Sequence, residues 1–147
     1  GREKTIVTPP VLNKSFWITN SEVSEEYLSE MSLFFIYMRL NVTPDNAQYQ
    51  HEALLRFADP KYHGVFKTRL NSERDYLREE RISTAFYPTK VSIDSKGLKA
   101  VITGELHTTV TNEPLTPQIA VYEILYGYNH GQLLIKSFVE VNEHEKD

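Results

Sequence analysis

Cysteine is absent from the 147 residues. That removes a disulfide framework, a thiol nucleophile and any thiolate metal site, while leaving the cellular compartment open. A basic excess is missing too: 16 Lys and Arg stand against 20 Asp and Glu, a formal net charge of −4. Proteins that grip nucleic acid through its phosphates carry a clustered basic surface. No long basic run occurs here, so no direct nucleic-acid partner is expected. No apolar run approaches the roughly 18 residues of a membrane-spanning helix; the most apolar window, 33–38, is far shorter. No secretory leader is recognisable, and the chain opens on Gly1 rather than Met. Glycine is scarce, with six residues, and no phosphate loop, dinucleotide fingerprint or nucleophile elbow is present. His51, His63, His107, His130 and His144 show no His-x-x-x-His spacing. No catalytic residue, metal or cofactor is expected.

What remains is an ordinary globular composition, 40% hydrophobic and 24% charged, in a length that favours one domain. A domain of this size buries roughly 68–70% of its unfolded surface, enough for a core without staples. Residues 1–20 read as an extended arm, stiffened by Pro9 and Pro10. Phe16 and Trp17 are the candidates for docking that arm on the domain or for contacting a partner. The domain proper is placed at 21–143, and 144–147 is expected to fray.

Helix signals follow. Ser21 or Ser24 can cap a first helix whose early Glu25 and Glu26 suit its positive end. Tyr27, Leu28, Met31, Phe34, Phe35 and Met38 keep helical spacing on one face. Thr43 and Pro44 open a second helix running to about Ala58, with Tyr49, Leu54, Leu55 and Phe57 inside. Asp59 and Pro60 open a third, with Tyr62, Val65, Phe66, Leu70 and Leu77 inward. Its later part, 67–81, reads as a solvated charged face.

The period then changes from helical to alternating. Residues 83–94 form a strand that Pro88 marks as an edge or bulge, and 94–97 form a turn. From Leu98 to Val110 apolar and polar residues alternate, as on a sheet with one wet face. Residues 118–129 and 132–142 form two more strands around His130 and Gly131. Three helices followed by four strands on short turns predict an α+β domain: helices packed on one face of a curved antiparallel sheet. The strand at 118–129 is apolar on both sides. Ile119, Val121 and Leu125, or else Ala120, Tyr122, Ile124, Tyr126 and Tyr128, therefore need a cover beyond the helices, from a C-terminal segment or a partner. A second reading closes the sheet into a cone around a small-molecule pocket. Tyr87, Tyr122, Tyr126 and Tyr128 would line it with Asp59 or Glu123; the same tyrosines are candidates for a groove or a self-association surface.

Several motifs together resemble the TraE family of conjugative type IV secretion systems. They are Thr8-Pro9, the run Ser15 to Trp17, the run Ser21 to Met31, Leu40 to Pro44, Leu54 to Pro60 and Phe86 to Pro88. They span most of the helical half; the strand half matches mainly in layout. The resemblance implies a fold similar to nuclear transport factor two (NTF2-like). It also implies a periplasmic domain carried by one inner-membrane helix in a Gram-negative bacterium, expected just before Arg2. The implied role is structural: assembly of the channel and pilus for DNA transfer, through self-association and contacts with other transfer-system subunits. No catalytic residue carries over. The related VirB-type proteins bear an Asn-Pro-x-Gly motif near a self-association surface; this chain has no Asn-Pro step, so that dimer geometry is not implied.

Overall fold

The computed structural model describes residues 5–7, 16–19 and 22–141. The proline step at Pro9 and Pro10 and the C-terminal residues from position 142 lie outside the described residues.

Helix α1 runs Glu25–Leu40. Of the two capping serines expected, Ser24 does the work: its Oγ accepts from the Tyr27 N–H at 3.1 Å, one of the orphan donors of a helix start. Ser21 lies outside the described residues. Leu28, Phe35, Ile36 and Met38 are buried, but Phe34 is 44% exposed. The inward stripe centres on 28, 32, 35 and 39, and Phe34 stands a quarter turn from it.

Helix α2, Ala47–Leu55, starts later and ends sooner than the sequence predicts. Thr43 caps a turn rather than the helix itself: its Oγ1 accepts from the N–H groups of Asp45 and Asn46. At the far end Phe57 and Ala58 leave the helix to pair with a strand, where the Ile135 N–H donates to the Phe57 carbonyl at 2.7 Å. Tyr49, expected inside, is 77% exposed; the buried face is Ala47, His51, Leu54 and Leu55. Helix α3, Pro60–Glu80, begins as predicted, with Asp59 accepting from the Lys61 N–H and Pro60 in the first turn. Phe66, Leu70 and Leu77 face in, while Val65, one step of about 100° away, is 68% exposed.

The sheet bears out the α+β, NTF2-like reading. Strands β3 (Ile82–Asp94), β4 (Lys99–Val110), β6 (Gln118–Asn129) and β7 (Gln132–Glu140) lie in the order β3-β4-β6-β7, all antiparallel. A two-residue strand, β5 (Glu113–Pro114), pairs with the end of β4. The register shift at Pro88/Lys90 puts an extra residue, Thr89, on β3, and the one at Leu125/Tyr126 puts one, Lys136, on β7; bulges bend the strand that carries the extra residue. The alternation decides which face of β6 looks inward. Ala120, Tyr122, Ile124, Tyr126 and Tyr128 are buried against the helices; Ile119 and Leu125 point the other way, 62% and 37% exposed. Phe35, Phe66, Leu54 and Leu70 from the helices meet Ile102, Ile124, Ile135 and Phe138 from the sheet, all fully buried. Each such side chain contributes roughly 1.5–3 kcal/mol by leaving water.

One small element was not foreseen. Strand β1 (Thr5–Val7) pairs antiparallel with β2 (Phe16–Ile18), so the arm folds back on itself. Ile18 then bridges to Val23, and the Ser24 N–H donates to the Trp17 carbonyl at 3.1 Å. Among the described residues no helix is long and apolar enough to cross a membrane.

Candidate functional site

A groove of about 330 Å3 opens between α1, α3 and the strands β3 and β4. Leu40, Leu77, Ile82, Leu106 and Val110 give it apolar walls, Arg39 and Glu73 give it its charge, and His51 lies beside them. Helical spacing puts Arg39 there: it follows Phe35 by four residues, so it shares the buried face of α1. Only 6% of it is exposed. Its Nη2 and Nε donate to the two Glu73 carboxylate oxygens at 2.6 and 3.2 Å, and its Nη1 donates to the Phe138 carbonyl at 2.6 Å. The guanidinium also lies over the Phe138 and Phe66 rings, 4.6 and 5.5 Å from their centroids. Burial alone would lower the Arg39 pKa; the charge and hydrogen bonds of Glu73 outweigh it and leave the pKa raised.

His51 sits behind this pair with no exposed surface. Its Nε2 is 3.2 Å from the Arg39 carbonyl. A carbonyl only accepts, so Nε2 carries the proton. Nδ1 is then an acceptor, and it has no hydrogen-bond partner among the described residues. Burial lowers the His51 pKa, so the ring stays neutral. The set is a charge-compensated anchor between α1, α3 and β7. The carboxylate is held at both oxygens by a guanidinium, which suits fixing a fold better than moving a proton.

The residues singled out in the sequence do not converge. Tyr126 is buried, its hydroxyl 2.6 Å from Ser32 Oγ, and burial raises its pKa. Tyr122 is buried edge-on to Phe86 and Phe138, its hydroxyl 3.4 Å from Glu140; burial raises its pKa as well. Tyr128 donates to the Thr19 carbonyl at 2.6 Å, tying the arm to the sheet. Tyr87 lies on the opposite face, 55% exposed, edge-on to His107 at 4.5 Å. Asp59 is used as the α3 cap, and Glu123 lies on the outer face between Val101 and Val139. Among the described residues these four tyrosines therefore do not converge on Asp59 or Glu123. Trp17 is half-buried, its backbone N–H donating to Ser24 Oγ at 3.2 Å; the Phe16 side chain is outside the described residues. His63 is exposed, His107 pairs with Glu105 at 3.0 Å, His130 occupies a turn, and His144 is not among the described residues. No cluster of three or more potential metal ligands occurs among those described.

Sequence reasoning passed over Arg39, and placed Glu73 on a solvated face. The signal available was the spacing Phe35 to Arg39, which sets a cation inside an apolar stripe.

The family model described as TraE protein matches residues 1–140. The chain is 27% identical to Protein TraE of Salmonella typhi over 139 residues, 95% of this chain and 74% of that one. It is 26% identical to Protein TraE of Escherichia coli (strain K12), over 99% of this chain and 78% of that one. Among solved structures it is similar to a TraE protein in complex with 2-(2-furyl)isonicotinic acid (TM-score 0.65, 14% identity, 80% and 96% of the two chains). It is similar also to the Agrobacterium tumefaciens VirB8 protein (TM-score 0.60, 16% identity, 79% and 91%). A third is a TrwG component of a type IV secretion system from Bartonella birtlesii (TM-score 0.67, 11% identity, 80% and 91%). At these identities the structural likenesses establish a shared fold.

Proposed function

The chain belongs to the TraE family, and from that premise we propose that it is a structural subunit of a conjugative type IV secretion system. It acts through protein contacts in assembling the channel and pilus for DNA transfer, not through turnover. The observation that carries this reading is the family match over residues 1–140. The site agrees with it: the charged pair under the groove, Arg39 and Glu73, is spent on itself and on the backbone. On this reading the domain stands in the periplasm, on an inner-membrane helix that precedes it. The arm is its fastening, and its partners are further copies and other transfer-system subunits. On a membrane, weak contacts gain effective concentration. The test is deletion of the gene from the mobile element and complementation in trans. Donor-to-recipient transfer should fall to background and return with the wild-type gene; undiminished transfer after deletion sinks the proposal.

A second reading concerns the groove. A structurally similar TraE protein is in complex with an isonicotinic acid derivative, and here an apolar groove of about 330 Å3 ends on Arg39. We infer that it accepts a small aromatic carboxylate. Attraction is modest, since Glu73 already neutralises Arg39. A rise in Tm with 2-chloroisonicotinic acid that Thr108→Trp abolishes supports this; no rise at millimolar ligand ends it.

A further inference from the structure

The two outer strands of the main sheet are treated differently along their outer edges. On β7 the edge is covered: Ile135 exchanges hydrogen bonds with Phe57 and Asp59, and Phe138 accepts from Arg39 and donates to the Tyr62 hydroxyl. On β3 only the first half is covered. Thr84 exchanges both backbone bonds with Val42, and the Phe86 N–H donates to Asn41 Oδ1. Pro88 follows and has no N–H to offer. Residues 90–94 then continue the strand, and no backbone bond from the outer side of Val91 or Ile93 is found among the described residues.

Antiparallel pairing fixes which groups point outward here. Thr84 and Phe86 turn their backbone groups away from β4, so they form the non-hydrogen-bonded pairs with Thr108 and Leu106. The register shift at Pro88/Lys90 changes the parity on β3 but not on β4. Counting along β4, the next outward-facing residues of β3 are Val91, opposite Ile102, and Ile93, opposite Ala100. Their side chains pack against the core only in part. On the other face Lys90, Ser92 and Asp94 are all exposed.

We propose that this edge pairs antiparallel with the same edge of a second copy, about a two-fold axis at Ser92. The proposal rests on the self-associating role given above and supplies its contact. In this register Val91 faces Ile93 of the partner, both with outward N–H and C=O groups, so four backbone hydrogen bonds form across the junction. Ser92 meets itself in a narrow non-hydrogen-bonded pair. Lys90 lies opposite the partner's Asp94, twice by symmetry, at the cross-strand distance where opposite charges attract. The neighbouring registers lack this match. Centring on Val91 sets Lys90 against Ser92, and centring on Ile93 sets Lys90 against Lys96. Asp94 already holds its turn through Oδ1, which accepts from the Gly97 N–H at 2.8 Å, leaving Oδ2 for Lys90. An exposed edge strand is a template for such pairing, and Pro88 confines it to one short register.

The chain has no cysteine, so single-cysteine variants test this contact. Paired Cα atoms about 4.5 Å apart at the axis lie within disulfide range. Under mild oxidation, Ser92→Cys should form a covalent dimer at least about tenfold faster than Lys90→Cys, whose two sulfurs sit four residues apart along the strands, or Ser72→Cys on α3. Adding Ile93→Pro to Ser92→Cys removes only the outward N–H, leaves the bonds to β4 in place, and should return the rate to that of the controls. A Ser92→Cys rate no greater than the controls overturns the contact. If the unaltered chain nevertheless self-associates in sedimentation experiments, the assembly role survives that result. Fast cross-linking at Ser92 in a chain dispensable for transfer keeps the contact and removes the role.

Discussion

At the residue scale, Arg39 and Glu73 share a bond but not an environment. Arg39 is 6% exposed and Glu73 32%. Removing a partner from a buried pair is costly mainly for the charge left behind in low dielectric. Glu73→Ala leaves the guanidinium inside with only the Phe138 carbonyl and the rings around it, and should cost about 3 kcal/mol. Arg39→Met fills much the same volume, and the abandoned Glu73 can turn to water. Its cost should be smaller, about 1–2 kcal/mol, chiefly for the orphaned Phe138 carbonyl. Urea unfolding of the two variants checks the order; equal losses would mean that the pair behaves as a surface bridge. Little of this was legible in the sequence. A cation four residues after a core phenylalanine is a visible anomaly. Its partner on α3, and the meeting of Ser32 with Tyr126 across 94 positions, arise from packing that no local pattern encodes.

Elements were read more securely, because their signals are local. The caps at Ser24 and Asp59, the turn at 94–97 and the limits of β6 follow from side-chain chemistry and period. The early end of α2 does not, since Phe57 and Ala58 are drawn out of the helix by β7, far away in sequence. The pairing of β1 with β2 joins residues on either side of the prolines, and neither strand has a long alternation to announce it. Two predictions belong here. A Cβ placed on Gly104 would lie 2.5 Å from the Tyr87 carbonyl oxygen, and as close to the Phe86 ring. Gly104→Ala should therefore force β3 off β4 beside the bulge and cost about 1–3 kcal/mol; thermal unfolding at wild-type Tm would contradict the close approach. The arm is held differently, by the Tyr128 hydroxyl on the Thr19 carbonyl and by the Ser24 bonds to Trp17. Tyr128→Phe removes about 1 kcal/mol from that attachment. Trp17 is the only tryptophan of the chain, so its fluorescence reports the arm. Acrylamide should quench it more readily in Tyr128→Phe while the urea midpoint of the domain shifts little. Unchanged quenching would show that the arm does not depend on this bond.

For the whole molecule, the family was legible through the succession of motifs along the chain and not through any constellation of reactive groups. The tyrosines grouped in the sequence reading shared only their type: on β6 they face the core, whereas Tyr87 faces away. One buried group nevertheless couples the entire fold to its surroundings. The folded state holds His51 neutral because burial penalises its cation, and the charges of Arg74 and Arg39 add to that. The bond to the Arg39 carbonyl and the charge of Glu73 offset only part of it. Its folded pKa thus lies below the ordinary value of 6.5. Between the two values the unfolded chain binds a proton that the folded chain refuses, so stability must fall as pH falls. The stabilisation is complete above about pH 6.5 and drains away below it, toward the lowered folded pKa. His51→Gln carries no titrating group, and can still donate to the Arg39 carbonyl. It should therefore lose stability at neutral pH yet show a shallower decline from pH 7.5 to 5.5 than the wild type. Urea midpoints at those pH values for both chains decide the matter: parallel declines would mean that other groups, and not His51, set the acid sensitivity of the domain.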